Sequence, residues 1–274
     1  MVDYPAGPRI PPTFIFMNDA PLFHIGRPTG YHQEYTEIGF WQTHLPYELK
    51  RVCGRARFTV DCVNTSRILQ ARNLLVKRAR LNRADYLIMA DPDMIPDCRL
   101  GSWPEAEPWF ESCWRKVQEM PLCVLAAPAR GVSPTQDGPQ QWRVHTFWNG
   151  EGDARLKRIE SQEASLLRGW QEVEAIGSGL IFVPMGVFNR LDEVAEERGT
   201  GTVPYFDDVY EDETKTEIKY TQDLYFCLRC RDAGIPIFAN FSAWAGHWQR
   251  ARDDGAWPLP TMEIYQEVLV AQAQ

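Results

Sequence analysis

Asp85-Tyr86-Leu87-Ile88-Met89-Ala90-Asp91-Pro92-Asp93 is the stretch whose reading decides the fold. A short apolar run, closed by an acid-proline-acid turn, has the length and punctuation of a buried strand. The segment before it supports that reading. Phe58-Thr59-Val60-Asp61-Cys62-Val63 reads as another strand, and Asn64-Thr65-Ser66 then supplies an N-cap signal. Ile68, Leu69, Leu74, Leu75 and Ala79 repeat at helical spacing to about Leu81. A strand, a helix and a strand in this order, with apolar strands, predict an α/β fold with a parallel sheet covered on both faces.

The pattern extends in both directions. Phe14-Ile15-Phe16-Met17 reads as the first buried strand, after a Pro-rich leader. Downstream, Trp109 to Met120 reads as a helix, Leu122 to Ala127 as a strand, and 131–141 as loop. Glu172 to Ile176 and Leu180 to Val183 read as strands flanking Gly177-Ser178-Gly179, followed by a helix from Gly186 to Glu197. Gly199 to Glu213 is rich in glycine and acid; a solvated loop and a mobile lid both fit it. Thr221 to Ala233 reads as a helix closed by Gly234, Ile235 to Ala239 as a late strand, and Thr261 to Ala273 as a terminal helix.

With 274 residues, 44% of them hydrophobic, the chain is long enough for one large domain. No run of 18 apolar residues occurs, so no membrane partner is expected. Met1 to Pro12 lacks a basic start followed by an apolar run, and the expected compartment is the cytoplasm. The seven cysteines form no evident framework, and Cys227-Leu228-Arg229-Cys230, on a helix, reads as buried thiols. A net charge of −8 argues against a general nucleic-acid binder. Arg67, Arg72, Lys77, Arg78, Arg80 and Arg83 nevertheless form a run without acids, either a solvated helix face or a phosphate-facing surface.

Two carboxylates at i and i+2 after a buried strand lie where open α/β sheets bind ligands. As hard oxygen ligands, Asp91 and Asp93 suit Mg²⁺ or Mn²⁺ bridging the phosphates of a nucleotide diphosphate. Asp97 is placed to add a supporting bond. A plain turn is the competing reading of Asp-Pro-Asp.

Four blocks, in order, carry a resemblance to a known family. Ala71-Arg72-Asn73 with Asp85 to Asp93 resembles the "aRN … DsD" signature of family-2-like glycosyltransferases of the GT-A fold, phage-encoded members included. Ala175 to Pro184 with Val187-Phe188 is similar to that group's acceptor-side strand. Thr221-Gln222-Asp223-Leu224-Tyr225-Phe226 is similar to its "sEDvyF" helix start, and Ala233-Gly234-Ile235-Pro236-Ile237 with Gly246-His247-Trp248 to its closing stretch.

The resemblance implies a mixed α/β sheet of GT-A type with helices on both faces, in a single catalytic domain over 1–274. Residues 1–130 would form the nucleotide-sugar half, 131–250 the acceptor half and 251–274 a C-terminal helix. It implies metal binding by Asp91, Asp93 and His247, with Mn²⁺ or Mg²⁺ as cofactor. Asp61, Arg67, Arg72, Asn73 and Asp91 would serve the donor nucleotide sugar, and Gly177, Ser178, Gly179, Gln222 and Trp248 the acceptor. Asp223 matches the acid that takes the acceptor's proton. Gln222 departs from the family, which has Glu there, and loses one charge.

The implied partners are a nucleotide-sugar donor, UDP-linked as the commonest case, and a hydroxyl acceptor. That acceptor is a saccharide, a protein or a hydroxymethylated base of phage DNA, in the host cytoplasm if the chain is phage-encoded. Trp142, Trp148, Trp244 and Trp248 offer stacking faces or core packing. Nucleotidyltransferases share the strand-end acid pair, but Asn18-Asp19-Ala20-Pro21 is no Gly-rich phosphate loop. A binding module with an inactive site is the further alternative, and Gln222 is the residue that supports it.

Overall fold

The computed structural model describes residues 20–29, 36–65, 67–97, 104–133, 141–150, 156–211, 214–215 and 217–247. The expected strand Phe14–Met17, the cap residue Ser66, Trp248 and the expected terminal helix 261–273 lie outside them.

The chain runs β1 (Leu22–Thr29), α1 (Thr36–Cys53), β2 (Arg57–Asn64), α2 (Ile68–Leu81), β3 (Tyr86–Ala90), β4 (Met94–Ile95) and α3 (Trp109–Glu119). It continues through β5 (Val124–Ala126), β6 (Arg130–Ser133), β7 (Gln141–Val144), β8 (Thr146–Asn149), β9 (Leu156–Arg158), α4 (Ser161–Leu166), β10 (Trp170–Val173) and β11 (Ala175–Ile176). Next come β12 (Leu180–Pro184), α5 (Met185–Glu197), β13 (Val209–Tyr210), β14 (Ile218–Tyr220), α6 (Gln222–Asp232), β15 (Ile237–Asn240) and β16 (Gly246–His247).

Seven strands form the main sheet in the order β10-β15-β5-β12-β3-β1-β2. Alternation along β3 shows how it is covered. Leu87 and Met89 pack with Leu75 of α2, Val187 of α5 and Phe226 of α6. Ile88 and Ala90 face the other way, toward Leu45 of α1 and Trp109 of α3. The expected α/β class, a mixed sheet with helices on both faces, is the one observed.

The purely parallel sheet is not. β1 runs parallel to β2 and β3, and β15 to β5, but β12 lies antiparallel between β3 and β5, and β10 antiparallel to β15. β12 is reached through the tight turn 177–179, so Leu180 at its start pairs with Ala90 at the end of β3. A strand entering at the edge where its neighbour leaves can only run the opposite way.

Several local readings also change. The sheet's first described strand is β1, whose mixed composition hid it, and Ala20-Pro21 lead into it. Gly26 in β1 lets α2 lie close: a Cβ there would stand 2.8 Å from a Leu75 methyl. β2 is an edge strand and not fully buried; Val60 is 58% exposed. Arg67, with no side-chain cap, holds the N-cap position of α2, while Thr65 Oγ1 donates to the Arg67 carbonyl. The expected strand 172–176 breaks at Glu174, whose N–H is drawn off to the Phe147 carbonyl, so β10 and β11 join different sheets. β6 and β7 pair across the two ends of the stretch 131–141 expected as loop.

The segment 199–211 ends in β13, paired with β14, and its Phe206 is fully buried, so it is anchored and not simply solvated. Gly234, with φ of 72°, closes α6 as expected. Cys227 and Cys230 are buried thiols, and burial pushes Cys227 up to about 12. Among the described residues no helix is long and apolar enough to cross a membrane.

Phe182 of β12 is fully buried against Phe23, Tyr86 and Phe110. Phe182→Ala should cost about 3–5 kcal/mol by urea denaturation. Val60→Ala, on the open edge, should stay within about 0.5 kcal/mol of wild type.

Candidate functional site

The site is built where β3 leaves the sheet. Asp91 N–H donates to the Gly179 carbonyl at 2.7 Å, and Met94 N–H to the Asp91 carbonyl at 3.1 Å, which folds Asp91-Pro92-Asp93 into a turn. β4 then pairs antiparallel with β16, setting His247 opposite Met94. That register carries the His247 ring to Asp93, with Nε2 3.2 Å from Oδ2. Burial opposes a charge on His247, yet its hydrogen bond to Asp93 and the charges of Asp93 and Asp91 outweigh it and raise its pKa.

Arg72, on the buried face of α2, joins the parts. Its side chain is 2% exposed; Nη2 donates to Asp91 Oδ2 at 2.7 Å and Nη1 to Gln222 Oε1 at 2.7 Å. Nη1 also donates to Asp223 Oδ1, and the Phe206 ring lies 5.9 Å from the guanidinium. Burial works against the guanidinium's charge, but Asp223 and Asp91 hold it well above its ordinary range. One buried cation serves two partly buried acids, with Asp93 close by. Burial therefore pushes Asp91 up to about 7, Arg72 pulling against it and the charges of Asp93 and Asp223 adding to it.

A cavity of about 150 Å³ opens on this group, with Asp91, Met94, His145, Gly177, Asp223 and His247 in its wall. Asp91, Asp223 and His247 are thus brought together, and Asp93 is joined to them through His247. His145 is the residue that the sequence did not announce. It stands alone between Val144 and Thr146 with no spacing to mark it, and its ring meets that of His247 edge-on, centroids 6.2 Å apart.

Several other expected site residues do not face this cavity. Arg72 is buried with its guanidinium committed to Asp91, Gln222 and Asp223, so it is not open to a nucleotide. Asn73 spends its amide on the Leu69 and Phe206 carbonyls and the Tyr205 and Phe206 N–H groups, and so clamps the 203–208 segment to α2. Asp61 sits mid-strand, bonded to Arg78 at 2.5 Å. Arg67 is exposed at the start of α2.

On the acceptor side, Gly177 and Gly179 line the cavity, but protein fills the space beside them. A Cβ on Gly177 would stand 3.3 Å from His145 Cβ, and one on Gly179 3.0 Å from Met94 Cγ. Ser178 is 1% and Gln222 7% exposed, so neither is open to an acceptor. Asp97 accepts from Trp109 N–H at 2.6 Å and secures the start of α3, not the acid pair. Trp244 is core, and Trp148 donates to Glu163 at 2.8 Å. The basic run is divided: Arg72 is buried, Arg78 pairs with Asp61, and Arg80 pairs with Asp192.

Whether the residues fit a metal turns on Asp91. Its Oδ1 is buried and has no hydrogen-bond partner, while Oδ2 is taken by Arg72. A buried carboxylate oxygen without a donor is costly unless a cation or water meets it. The carboxylates suit Mn²⁺ or Mg²⁺, and the imidazole adds a nitrogen ligand of the kind transition-metal ions take. As placed, no three such side chains among the described residues form a ready metal-holding group. The donor chemistry fits, and the side chains would have to draw together.

No family model and no curated protein matches the chain. Among solved structures it is similar to a protein from STIV at 14% identity, covering 85% of this chain and 87% of that one, with a TM-score of 0.46. A Drosophila β-1,4-galactosyltransferase 7 in complex with manganese, UDP-Gal and xylobiose matches at 13% identity over 81% of this chain and 65% of that one, TM-score 0.40. GalNAc-T7 with UDP, GalNAc and Mn²⁺ matches at 15% identity over 91% and 42%, TM-score 0.45. Likeness at this level bears on neither substrate nor residue roles.

Removing the central buried cation leaves two partly buried acids without their shared partner. Arg72→Met should cost about 3–5 kcal/mol by chemical denaturation, a larger loss than Arg78→Met at the half-exposed Asp61 pair.

Proposed function

We propose that this chain is a metal-dependent glycosyltransferase, moving a sugar from a nucleotide-diphosphate sugar, UDP-linked in the first instance, to a hydroxyl acceptor. The observation that carries the reading is Asp91 Oδ1, a buried carboxylate oxygen without a donor in the wall of a cavity that also holds Asp223 and His247. The four sequence blocks in family order support it.

In this reading Asp91, Asp93 and His247 hold Mn²⁺ or Mg²⁺, which when bound neutralises the departing diphosphate. Arg72 keeps Asp91 and Asp223 fixed relative to one another. Asp223 Oδ1 accepts from Arg72 and Gln222, and Oδ2 takes the proton of the acceptor hydroxyl. The hydroxyl oxygen bonds to the anomeric carbon as that carbon's bond to the diphosphate oxygen breaks. Arg67, exposed at the start of α2, would meet donor phosphates. The whole chain serves as one catalytic domain, with a saccharide or protein as acceptor. A hydroxymethylated DNA base is the third acceptor class: in the basic run Arg72 is buried and Arg78 and Arg80 are ion-paired, while Arg67, Lys77 and Arg83 stay exposed.

Nucleotide release from a panel of sugar nucleotides tests the reading. With Mn²⁺ present, at least one UDP-sugar should release UDP, and Asp93→Ala should lower that rate about 100-fold or more. No release from any donor, or release that survives Asp93→Ala, would count against it.

A further inference from the structure

The position where the family has Glu carries a neutral amide, and the geometry points to Gln222 as the positioning residue that fixes the Asp223 carboxylate, one oxygen locked and the other turned to the cavity. The inference rests on the reading of Asp223 as the group that meets the acceptor hydroxyl.

Gln222 opens α6, and its N–H is held by Asp208 Oδ1 at 3.0 Å. Its side chain lies between Arg72 and Asp223. Oε1 accepts from Arg72 Nη1 at 2.7 Å, and Nε2 donates to Asp223 Oδ1. Only this orientation is chemically possible. A guanidinium has donors and no acceptor, and an ionised carboxylate accepts and cannot donate. The amide offers an acceptor for the first and a donor for the second without having to bind a proton.

Asp223 Oδ1 thus receives two bonds, from Arg72 and from Gln222, and both fix the carboxylate's rotation. The other oxygen, Oδ2, lies 3.9 Å from where a Gly177 Cβ would stand, and Asp223 and Gly177 both line the cavity. An ionised Glu at 222 would set an oxygen against Asp223 Oδ1 with no proton between them. Arg72 would then face three carboxylates, Asp91, Asp223 and Glu, with one charge. The neutral side chain suits this site because a single buried cation already serves two acids.

The test compares wild type with Gln222→Met and Gln222→Glu, first without turnover. In wild type, nuclear magnetic resonance should show a through-hydrogen-bond coupling from the Gln222 side-chain amide to the Asp223 carboxyl carbon. In folded Gln222→Met that carboxyl signal should shift or split as the rotation is freed. An Asp223 signal unchanged in Gln222→Met overturns the inference, whatever the kinetics show. Manganese-dependent UDP release from a UDP-sugar that wild type uses then supplies the second arm. Both variants should lose about 10- to 100-fold in kcat with little change in KM, as for a misplaced base. Equal kcat in Gln222→Met and wild type also overturns it. A wild type with the coupling but no release from any UDP-sugar would instead sink the glycosyltransferase reading and leave the positioning intact.

Discussion

The guanidinium of Arg72 ties together parts of the chain that are far apart in sequence. Its two ends reach Asp91 at the end of β3 and the Gln222-Asp223 pair at the start of α6. A buried pair of this kind adds little net stability over an apolar replacement, because desolvation offsets most of its attraction. What it fixes is geometry. Asp91 and Asp223 cannot move apart without stranding a charge, so the two acids of the cavity keep one relation to each other. The next residue extends the hold: Asn73 bonds the Tyr205 and Phe206 backbone, and Phe206 in turn lies under the Arg72 guanidinium. One turn of α2 therefore anchors both the acids and the loop beside them.

The sheet delivers these groups to one edge. β12 enters beside the end of β3, so the Gly179 carbonyl accepts from Asp91 N–H and the turn 177–179 forms part of the cavity. The short pairing of β4 with β16 brings His247 back to Asp93 from a distant point in the chain. Gly26 allows α2 to lie close enough for Arg72 to reach over the end of β3. Charge then follows from packing. The acids outnumber the buried cation, Asp91 is pushed up to about 7, and one of its oxygens is left without a donor. On that imbalance, and above all on the unpartnered Asp91 Oδ1, the proposed divalent cation rests.

The sequence was legible where a local pattern matched the environment. β3, α3, α5 and α6 are apolar or amphipathic runs with clear ends, and all lie close to their expected bounds. β1 was illegible because His24, Gly26, Arg27 and Pro28 break the apolar run, although three of the four are buried. Strand direction was illegible too, since Leu180 to Val183 reads the same whichever way its neighbours point. At the site, Asp91, Asp223 and His247 do meet at one cavity. Arg72, Asn73 and Gln222 carry the right residue types but face inward, and motif matching does not distinguish a side chain that touches a ligand from one that holds its neighbour. His145 had no signal, because its place depends on a hairpin and on the absent Cβ of Gly177.

The most direct measurement is a Mn²⁺ titration of the purified protein followed by electron paramagnetic resonance, with UDP absent and then present. The account predicts that free Mn²⁺ signal is lost on adding protein, that UDP strengthens the binding, and that Asp91→Asn weakens it about tenfold or more. Mn²⁺ whose signal stays that of the free ion with protein and UDP together would contradict the account.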